Sequence, residues 1–208
     1  MKNKTTKISI GIVIVALLAW WGVAMVDRNE NKVPPTEVGT IEQHEKGNVD
    51  SKIEIVEFSD FQCPACAGAE AMVDQLILDF DNIKVVYKHY PLNSIHPNAH
   101  LAAAASESAG IQGKFWEMHD VLFENQSAWS NSINPKKIFI GYAKDLGLDV
   151  NQFVADLENE SVLAKIENDI ADGDEAGVKG TPSFYVNGVY IENYGQLEAI
   201  INPGTIKE

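Results

Sequence analysis

The 208-residue sequence is poor in cysteine and in basic residues, and both shortages exclude classes of protein. Its two cysteines, Cys63 and Cys66, are too few for a small domain held together by several disulfides or for an isolated four-cysteine zinc site. The sequence has 16 Lys and Arg residues and 30 Asp and Glu residues, which give a net charge of −14, so we expect no nucleic-acid partner. The apolar fraction of 45% is ordinary for a globular protein and excludes wholesale disorder.

One long stretch lacks charge altogether: residues 8–26 are apolar and follow three lysines within residues 1–7. A helix needs about 20 apolar residues to cross a bilayer, and lysines at one end favour the cytoplasmic side. We therefore expect a membrane anchor with residues 1–7 in the cytoplasm and the remainder of the chain outside it. A cleaved signal peptide is the alternative, although the apolar core of a signal peptide usually has only about 7–15 residues.

Residues 27–48 are polar and include two adjacent prolines, a composition typical of a linker that buries little surface. Beyond this linker, a folded domain is predicted over residues 49–205. It opens with an apolar strand at residues 53–58, continues with a helix from Pro64 to about residue 80, and returns to a strand at residues 83–90. This order predicts a βαβ unit with a right-handed crossover.

Residues 95–176 show helical periodicity and predict an inserted helical domain. Its helices are expected at residues 99–109, 114–124, 135–146, 151–157 and 161–171. Strand patterns return at residues 183–186 and 189–192, on either side of Asn187-Gly188, which strongly favours a two-residue hairpin turn. A last helix is expected near residues 196–201, so the predicted fold class is α/β with a small mixed sheet.

The two cysteines lie at the predicted start of a helix, directly after a buried strand. Cys63 and Cys66 are about one helical turn apart, so their sulfur atoms face the same side and can form a small disulfide ring. Unpaired N–H groups at a helix start favour the thiolate and lower the pKa of Cys63. Because a stable thiolate is a good leaving group, the disulfide would be oxidising, with the deeper Cys66 as the resolving thiol.

Two other interpretations of the cysteine pair stay open at this point. The pair could be an inert structural disulfide, or it could form a zinc site together with His96 and His100, which are four residues apart on a predicted helix. A disulfide that closes so short a loop adds little stability, so the redox interpretation is favoured.

Residues 57–66 and 178–188, which include Cys63-Pro64-Ala65-Cys66 and Gly180-Thr181-Pro182, resemble the motifs of the DsbA-like thiol:disulfide oxidoreductases of the thioredoxin superfamily. The similarity covers about residues 47–205 and is greatest to the membrane-anchored BdbD-type proteins of bacterial envelopes. It implies a thioredoxin fold with an inserted helical domain, in which Cys63 attacks the substrate and Cys66 resolves the mixed disulfide.

The resemblance also implies roles for residues outside the cysteine pair. Pro182 would be a cis-proline facing the disulfide, and the loop at Thr181 would offer backbone groups to an extended substrate. From the sequence alone, an ordinary trans turn would be expected there. Glu57 would lie beneath the cysteines and exchange a proton with the deeper thiol, which requires a pKa raised by burial. Otherwise Glu57 faces a sheet edge and meets water; Lys84 or Lys88 on the next strand could pair with it.

These features together predict an extracytoplasmic dithiol oxidase that introduces disulfides into exported proteins with free thiols. The family resemblance implies that a quinone-linked membrane protein would re-oxidise it, and we expect a monomer that needs no metal or other cofactor. An isomerase or reductase of the same fold is the alternative, followed by a zinc-binding or chaperone-like module without enzymatic activity. Ala65 stands where strongly oxidising family members often carry a histidine, which puts the oxidising strength in question.

Overall fold

A computed structural model describes residues 43–192 and 194–201 of the protein. In this part of the chain one sheet contains the strands β1 (His44–Gly47), β2 (Ile53–Ser59), β3 (Ile83–His89), β4 (Ser183–Val186) and β5 (Val189–Ile191). The helices are α1 (Pro64–Asp79), α2 (Ala99–Gly110), α3 (Phe115–Glu124), α4 (Gln126–Trp129), α5 (Pro135–Asp145), α6 (Val150–Asp156), α7 (Glu160–Ala176) and α8 (Tyr194–Ile201). The predicted anchor at residues 8–26 lies outside the described residues, and within them no helix is long and apolar enough to span a membrane.

The sheet is mixed and has the strand order β1-β3-β2-β4-β5. The central strand β2 pairs parallel with β3 and antiparallel with β4, and α1 connects β2 to β3, so the predicted βαβ unit is present. The hairpin between β4 and β5 turns at Asn187 and Gly188, whose φ angles of 48° and 80° suit a type I′ turn. Local turn chemistry therefore sets the register of this edge of the sheet.

Apolar side chains fill both faces of the sheet. Helices α2 to α7 lie between β3 and β4 in the chain, as predicted for the inserted helical domain, and their core includes Phe61, Tyr87, Met118, Trp129, Phe139 and Phe153. Helices α1 and α8 cover the strands through Ile55, Val73, Leu76, Val85, Val186 and Leu197. The alternate positions Phe58 and Tyr185 belong to a third cluster on the opposite face of the sheet. This is a mixed α/β, thioredoxin-like fold, in agreement with the predicted fold class.

Strand β1 corrects the end of the predicted linker at residues 27–48, of which residues 27–42 lie outside the described part of the chain. His44 to Gly47 pair antiparallel with β3, with His44 opposite Tyr87. Gly47 has a φ angle of +83°, and a Cβ atom there would lie 2.8 Å from the carbonyl oxygen of Ile83. The sequence of this strand, His-Glu-Lys-Gly, shows no alternation of apolar and polar residues that would predict a strand. The strand forms because its backbone pairs with β3.

The helical insertion also differs from the prediction in two places. The short helix α4 at Gln126–Trp129 has too few residues to give a periodic signal. Helix α7 continues to Ala176 rather than ending at residue 171, and Gly177 then stops it in the left-handed conformation with a φ angle of 83°.

Candidate active site

Strand β2 and helix α1 place the two cysteines at the junction between sheet and helix. Cys63 is the residue that precedes the first helical turn, and Pro64 follows at the start of α1, where its missing N–H is not needed. Cys63 is 7% exposed and Cys66 is fully buried, so the predicted difference in depth is present. Both thiols are free in this structure.

The surroundings of the two thiols shift their pKa values in opposite directions. A hydrogen bond from Cys66 is the largest influence on Cys63 and, with backbone N–H groups of the first turn, lowers its pKa from 9.0 to about 5 against the effect of burial. Burial raises the pKa of Cys66, and the neighbouring Cys63 raises it further. In the reduced protein Cys63 is therefore the thiolate, and Cys66 holds its proton.

The loop before β4 lies against the outer sulfur. The Thr181–Pro182 peptide bond is cis, and the Sγ atom of Cys63 lies 3.3 Å from the carbonyl oxygen of Thr181. A cavity of about 500 Å³ beside this loop is lined by residues 176–183 together with Tyr185 and Tyr190. The structure thus brings Thr181, Pro182 and Cys63 together, although they are far apart in the sequence.

Glu57 lies in the interior rather than at a wet sheet edge. It is 1% exposed, and its Oε1 atom has no hydrogen-bond partner among the described residues. Burial and, second, the negative charge of Glu70 together raise its pKa from 4.5 to about 8, against the effects of Ser59, His119 and Lys46. A carboxyl group that titrates near neutral pH is suited to exchange protons with a thiol.

The suggested pairing of Glu57 with Lys84 or Lys88 is wrong. Within the described residues, Lys84 binds Glu45 and Glu54 at 3.2 and 2.9 Å, and Lys88 binds Asp169 and Asp172. Both lysines alternate along β3 with Val85 and Tyr87, which lie beside Ile55 and Glu57, so the lysine side chains face the other side of the sheet. The buried carboxyl group is therefore left without a lysine counter-ion in the part of the chain that the structure describes.

The histidines considered for a zinc site have other partners. The Nδ1 atom of His96 lies 2.6 Å from Asp60, whose carboxylate also accepts hydrogen bonds from the backbone of Gln62. His100 lies 3.3 Å from Glu167. Among the described residues, no group of three or more His, Cys, Asp and Glu is arranged to hold a metal ion. His96 instead helps to hold the loop that leads into Cys63.

Two buried histidine clusters near the site are not predicted from the sequence. In the first, Glu107 accepts hydrogen bonds from His44 at 2.9 Å and His89 at 2.8 Å, and these outweigh burial and hold its pKa at about 2. In the second, His119 lies 3.4 Å from Glu70. His119 lies on the apolar face of α3, a position that sequence reasoning reads as core, and Glu70 follows Cys66 by one helical turn.

The fold and the site define a class of protein: a thioredoxin-like chain with a dithiol at a helix start and a cis-proline against the outer sulfur. The family model described as Thioredoxin matches residues 40–203. The chain therefore belongs to the thioredoxin family.

Solved structures place the chain more closely. A thioredoxin-like oxidoreductase from Silicibacter pomeroyi DSS-3 is 28% identical with a TM-score of 0.67, over 77% of this chain and 91% of that one. Oxidised BdbD from Bacillus subtilis has the same fold, with 24% identity and a TM-score of 0.69 over 77% of this chain and 91% of that one. The predicted resemblance to DsbA-like and BdbD-type thiol-disulfide oxidoreductases is confirmed.

The curated relatives that match this chain are longer proteins. The Na(+)/H(+) antiporter NhaA 1 of Salinispora arenicola (strain CNS-205) is 41% identical over 157 residues, which are 76% of this chain and 23% of that protein. The Na(+)/H(+) antiporter NhaA of Herminiimonas arsenicoxydans is 34% identical over 90% of this chain and 30% of that protein. The chain spans less than a third of the length of either relative, so the antiporter name describes a much larger protein than the matched part.

Proposed function

We propose that this protein is a dithiol oxidase that donates the Cys63–Cys66 disulfide to substrate proteins with free thiols. The observation that carries the proposal is the stabilised Cys63 thiolate, whose pKa is lowered to about 5. Stabilising the thiolate stabilises the dithiol relative to the disulfide, and a disulfide whose reduced form is stable is a strong oxidant. Isomerase and reductase activities of the same fold are the competing possibilities.

The geometry supports a two-step exchange. A substrate thiolate attacks Cys63, the cysteine nearer the surface, and the Cys66 sulfur leaves and takes up a proton from Glu57. A second substrate thiolate then attacks the mixed disulfide and releases Cys63 as its stable thiolate. The cis-proline loop at Thr181 and Pro182, which lies against Cys63, would hold the substrate backbone in an extended conformation during both steps.

We further propose that the catalytic domain is extracytoplasmic and tethered by residues 8–26, and that its substrates are exported proteins. The support is the charge-free run that follows the lysines of residues 1–7. A quinone-linked membrane protein would accept the electrons and restore the disulfide, and the protein would work as a monomer. Fractionation of cells that express the full chain tests the location: recovery from the cytoplasm would contradict it, and an exported form with a new N-terminus would favour a signal peptide.

The reduction potential of the Cys63–Cys66 pair separates the candidate activities. We would equilibrate the full chain, in detergent, with defined ratios of reduced and oxidised glutathione and determine the fraction of free thiols. A dithiol oxidase should have a potential less negative than about −200 mV, closer to the value near −120 mV of strongly oxidising proteins. A potential below about −270 mV would instead favour a reductase or a structural disulfide. Trapping mixed disulfides with Cys66→Ala would then identify the substrates.

A further inference from the structure

A second cavity opens beside helix α1, with a lining distinct from that of the cis-proline loop. Its volume is about 290 Å³, and its polar lining consists of Glu70, Asp74, His119, Asp120 and Glu124. A water molecule occupies roughly 30 Å³ in the liquid, so several can enter. The side chains of Asp74 and Asp120 are 56% and 51% exposed, whereas those of Glu70 and His119 are 14% and 1% exposed. The cavity therefore leads from the solvent to buried titratable groups.

The inner wall of this cavity leads toward the redox site. The Nε2 atom of His119 lies 3.4 Å from the Oε1 atom of Glu70, and its Nδ1 atom lies 2.8 Å from the Oδ1 atom of Asp120. Glu70 is one helical turn beyond Cys66, and its charge acts directly on buried Glu57. Titratable groups thus continue from the buried Glu57 to the exposed carboxylate of Asp120.

The surroundings of His119 favour exchange of protons. Four aromatic rings surround the imidazole, with centroids between 5.0 and 5.6 Å from its own, and hold it in place. Burial acts to lower the pKa of His119, but the neighbouring carboxylates of Asp120 and Glu70 outweigh it, so the pKa is raised. Imidazole groups commonly accept and release protons near neutral pH. The remaining titratable groups that face it are Glu57 on β2, Tyr87 on β3 and Lys46 on β1.

We propose that His119 passes the proton of the redox cycle between Glu57 and the solvent, by way of Glu70 and the water-accessible cavity. The inference rests on the proposed oxidoreductase function, because it concerns the proton that Cys66 exchanges in each cycle. His119 acts through Glu70 and Glu57, which makes it a positioning residue for proton transfer rather than a catalytic residue.

Re-oxidation by oxidised glutathione shows where the proton goes. The Cys63 thiolate attacks one glutathione sulfur and releases the first glutathione thiolate. Glu57 holds its proton at neutral pH and first releases it through Glu70 and His119 to water. The Cys66 thiol then gives its own proton to the Glu57 carboxylate, its sulfur attacks Cys63, and the second glutathione thiolate leaves. Two electrons pass from the protein to glutathione. Glu57 thereby regains its protonated form, one proton has passed to water, and reduction runs the same route in reverse.

His119→Gln tests the route because glutamine fills a similar space and forms hydrogen bonds but does not titrate. With the full chain in detergent, we would follow release of the second glutathione, and the reverse reaction with reduced glutathione, from about pH 6 to about pH 9. We expect His119→Gln to slow both reactions by the same factor, on the order of tenfold near neutral pH. The rate difference between variant and wild type should become smaller at alkaline pH, where hydroxide accepts the proton. An equal effect in both directions leaves the reduction potential unchanged, whereas a structural defect would move it.

His89→Gln is the matched control. His89 is also 1% exposed and also lies against the rings of Phe61 and Tyr87, but its hydrogen bond goes to Glu107. The His89→Gln variant should therefore have the same rates of glutathione exchange as wild type, with the same pH dependence. If His119→Gln does not fold, Glu70→Gln interrupts the same route and should give the same pH-dependent loss.

The outcomes separate this inference from the proposed function. Slowing confined to the His119 and Glu70 variants supports the relay. Unchanged rates in both variants, or an equal loss in His89→Gln, would overturn it. If wild-type protein exchanges with glutathione through His119 but does not oxidise a dithiol peptide, the oxidase proposal fails while the proton route stands.

Discussion

Replacing Glu57 with glutamine should stabilise the reduced protein, and the gain should grow with pH. Glu57 is 1% exposed, and its pKa is raised from 4.5 to about 8, first by burial and then by the charge of Glu70. One pKa unit corresponds to about 1.4 kcal/mol, so ionising this carboxyl group in the folded protein costs up to about 5 kcal/mol more than in the unfolded chain. Glutamine has nearly the same shape and never ionises.

The direction of this pH dependence follows from the number of protons that Glu57 binds in the folded and in the unfolded protein. Between pH 4.5 and about pH 8 the folded protein keeps the Glu57 proton, whereas the unfolded chain has lost it. The folded state binds more protons, so the contribution of Glu57 to the free energy of unfolding decreases as pH rises through this window and is constant outside it. The stability difference between Glu57→Gln and wild type should therefore increase from pH 4.5 and level off above about pH 8.

Urea unfolding of the reduced full chain in detergent, followed at several pH values, measures this difference. Glu54→Gln is the control on the same strand, because the Glu54 side chain is 41% exposed and pairs with Lys84 at the surface. Exposed ion pairs contribute only about 0–1 kcal/mol, so the control should show a small, nearly constant effect. Parallel pH profiles for wild type and Glu57→Gln would refute the assignment of a buried, neutral carboxyl group.

Three further predictions concern the cysteines, the residue between them and the first histidine cluster. Cys63→Ser should abolish dithiol oxidation, whereas Cys66→Ser should accumulate mixed disulfides on non-reducing gels; faster alkylation of Cys66 than of Cys63 at neutral pH would reverse these roles. Ala65→His should raise the reduction potential by a few tens of millivolts by favouring the thiolate, since about 30 mV corresponds to 1.4 kcal/mol for a two-electron couple. A lower Cys63 pKa, read from thiolate absorbance, without a higher potential would contradict that link. Glu107→Gln should lower the melting temperature at neutral pH, because the carboxylate binds two histidines. The lowered pKa of Glu107 means that its contribution to stability is present above pH 4.5 and is lost as pH falls toward 2, so a melting-temperature loss that is the same at pH 2 and pH 7 would argue against it.

Local sequence signals determined the cysteine site and most of the elements around it. Pro64 after Cys63 marks a helix start, and Asn187-Gly188 marks a tight hairpin, because each depends on the backbone preferences of neighbouring residues. The order of strand, helix and strand around the cysteines, and the helical insertion that follows, were also predictable from periodicity. The depth of Cys66 followed from its place one turn into the helix.

Tertiary structure decided the features that depend on contacts between distant parts of the chain. Strand β1 exists because β3 supplies its hydrogen bonds, and the cis-peptide loop at Thr181 meets Cys63 because β4 pairs with β2. From the sequence, His119 is expected to be a core residue on an amphipathic helix. Only the tertiary structure shows that α3 places it next to Glu70 of α1. Periodicity shows which face of an element is buried, but the groups that meet inside the protein depend on how the faces pack together. For that reason the dithiol could be found from the sequence, and the contact between His119 and Glu70 could not.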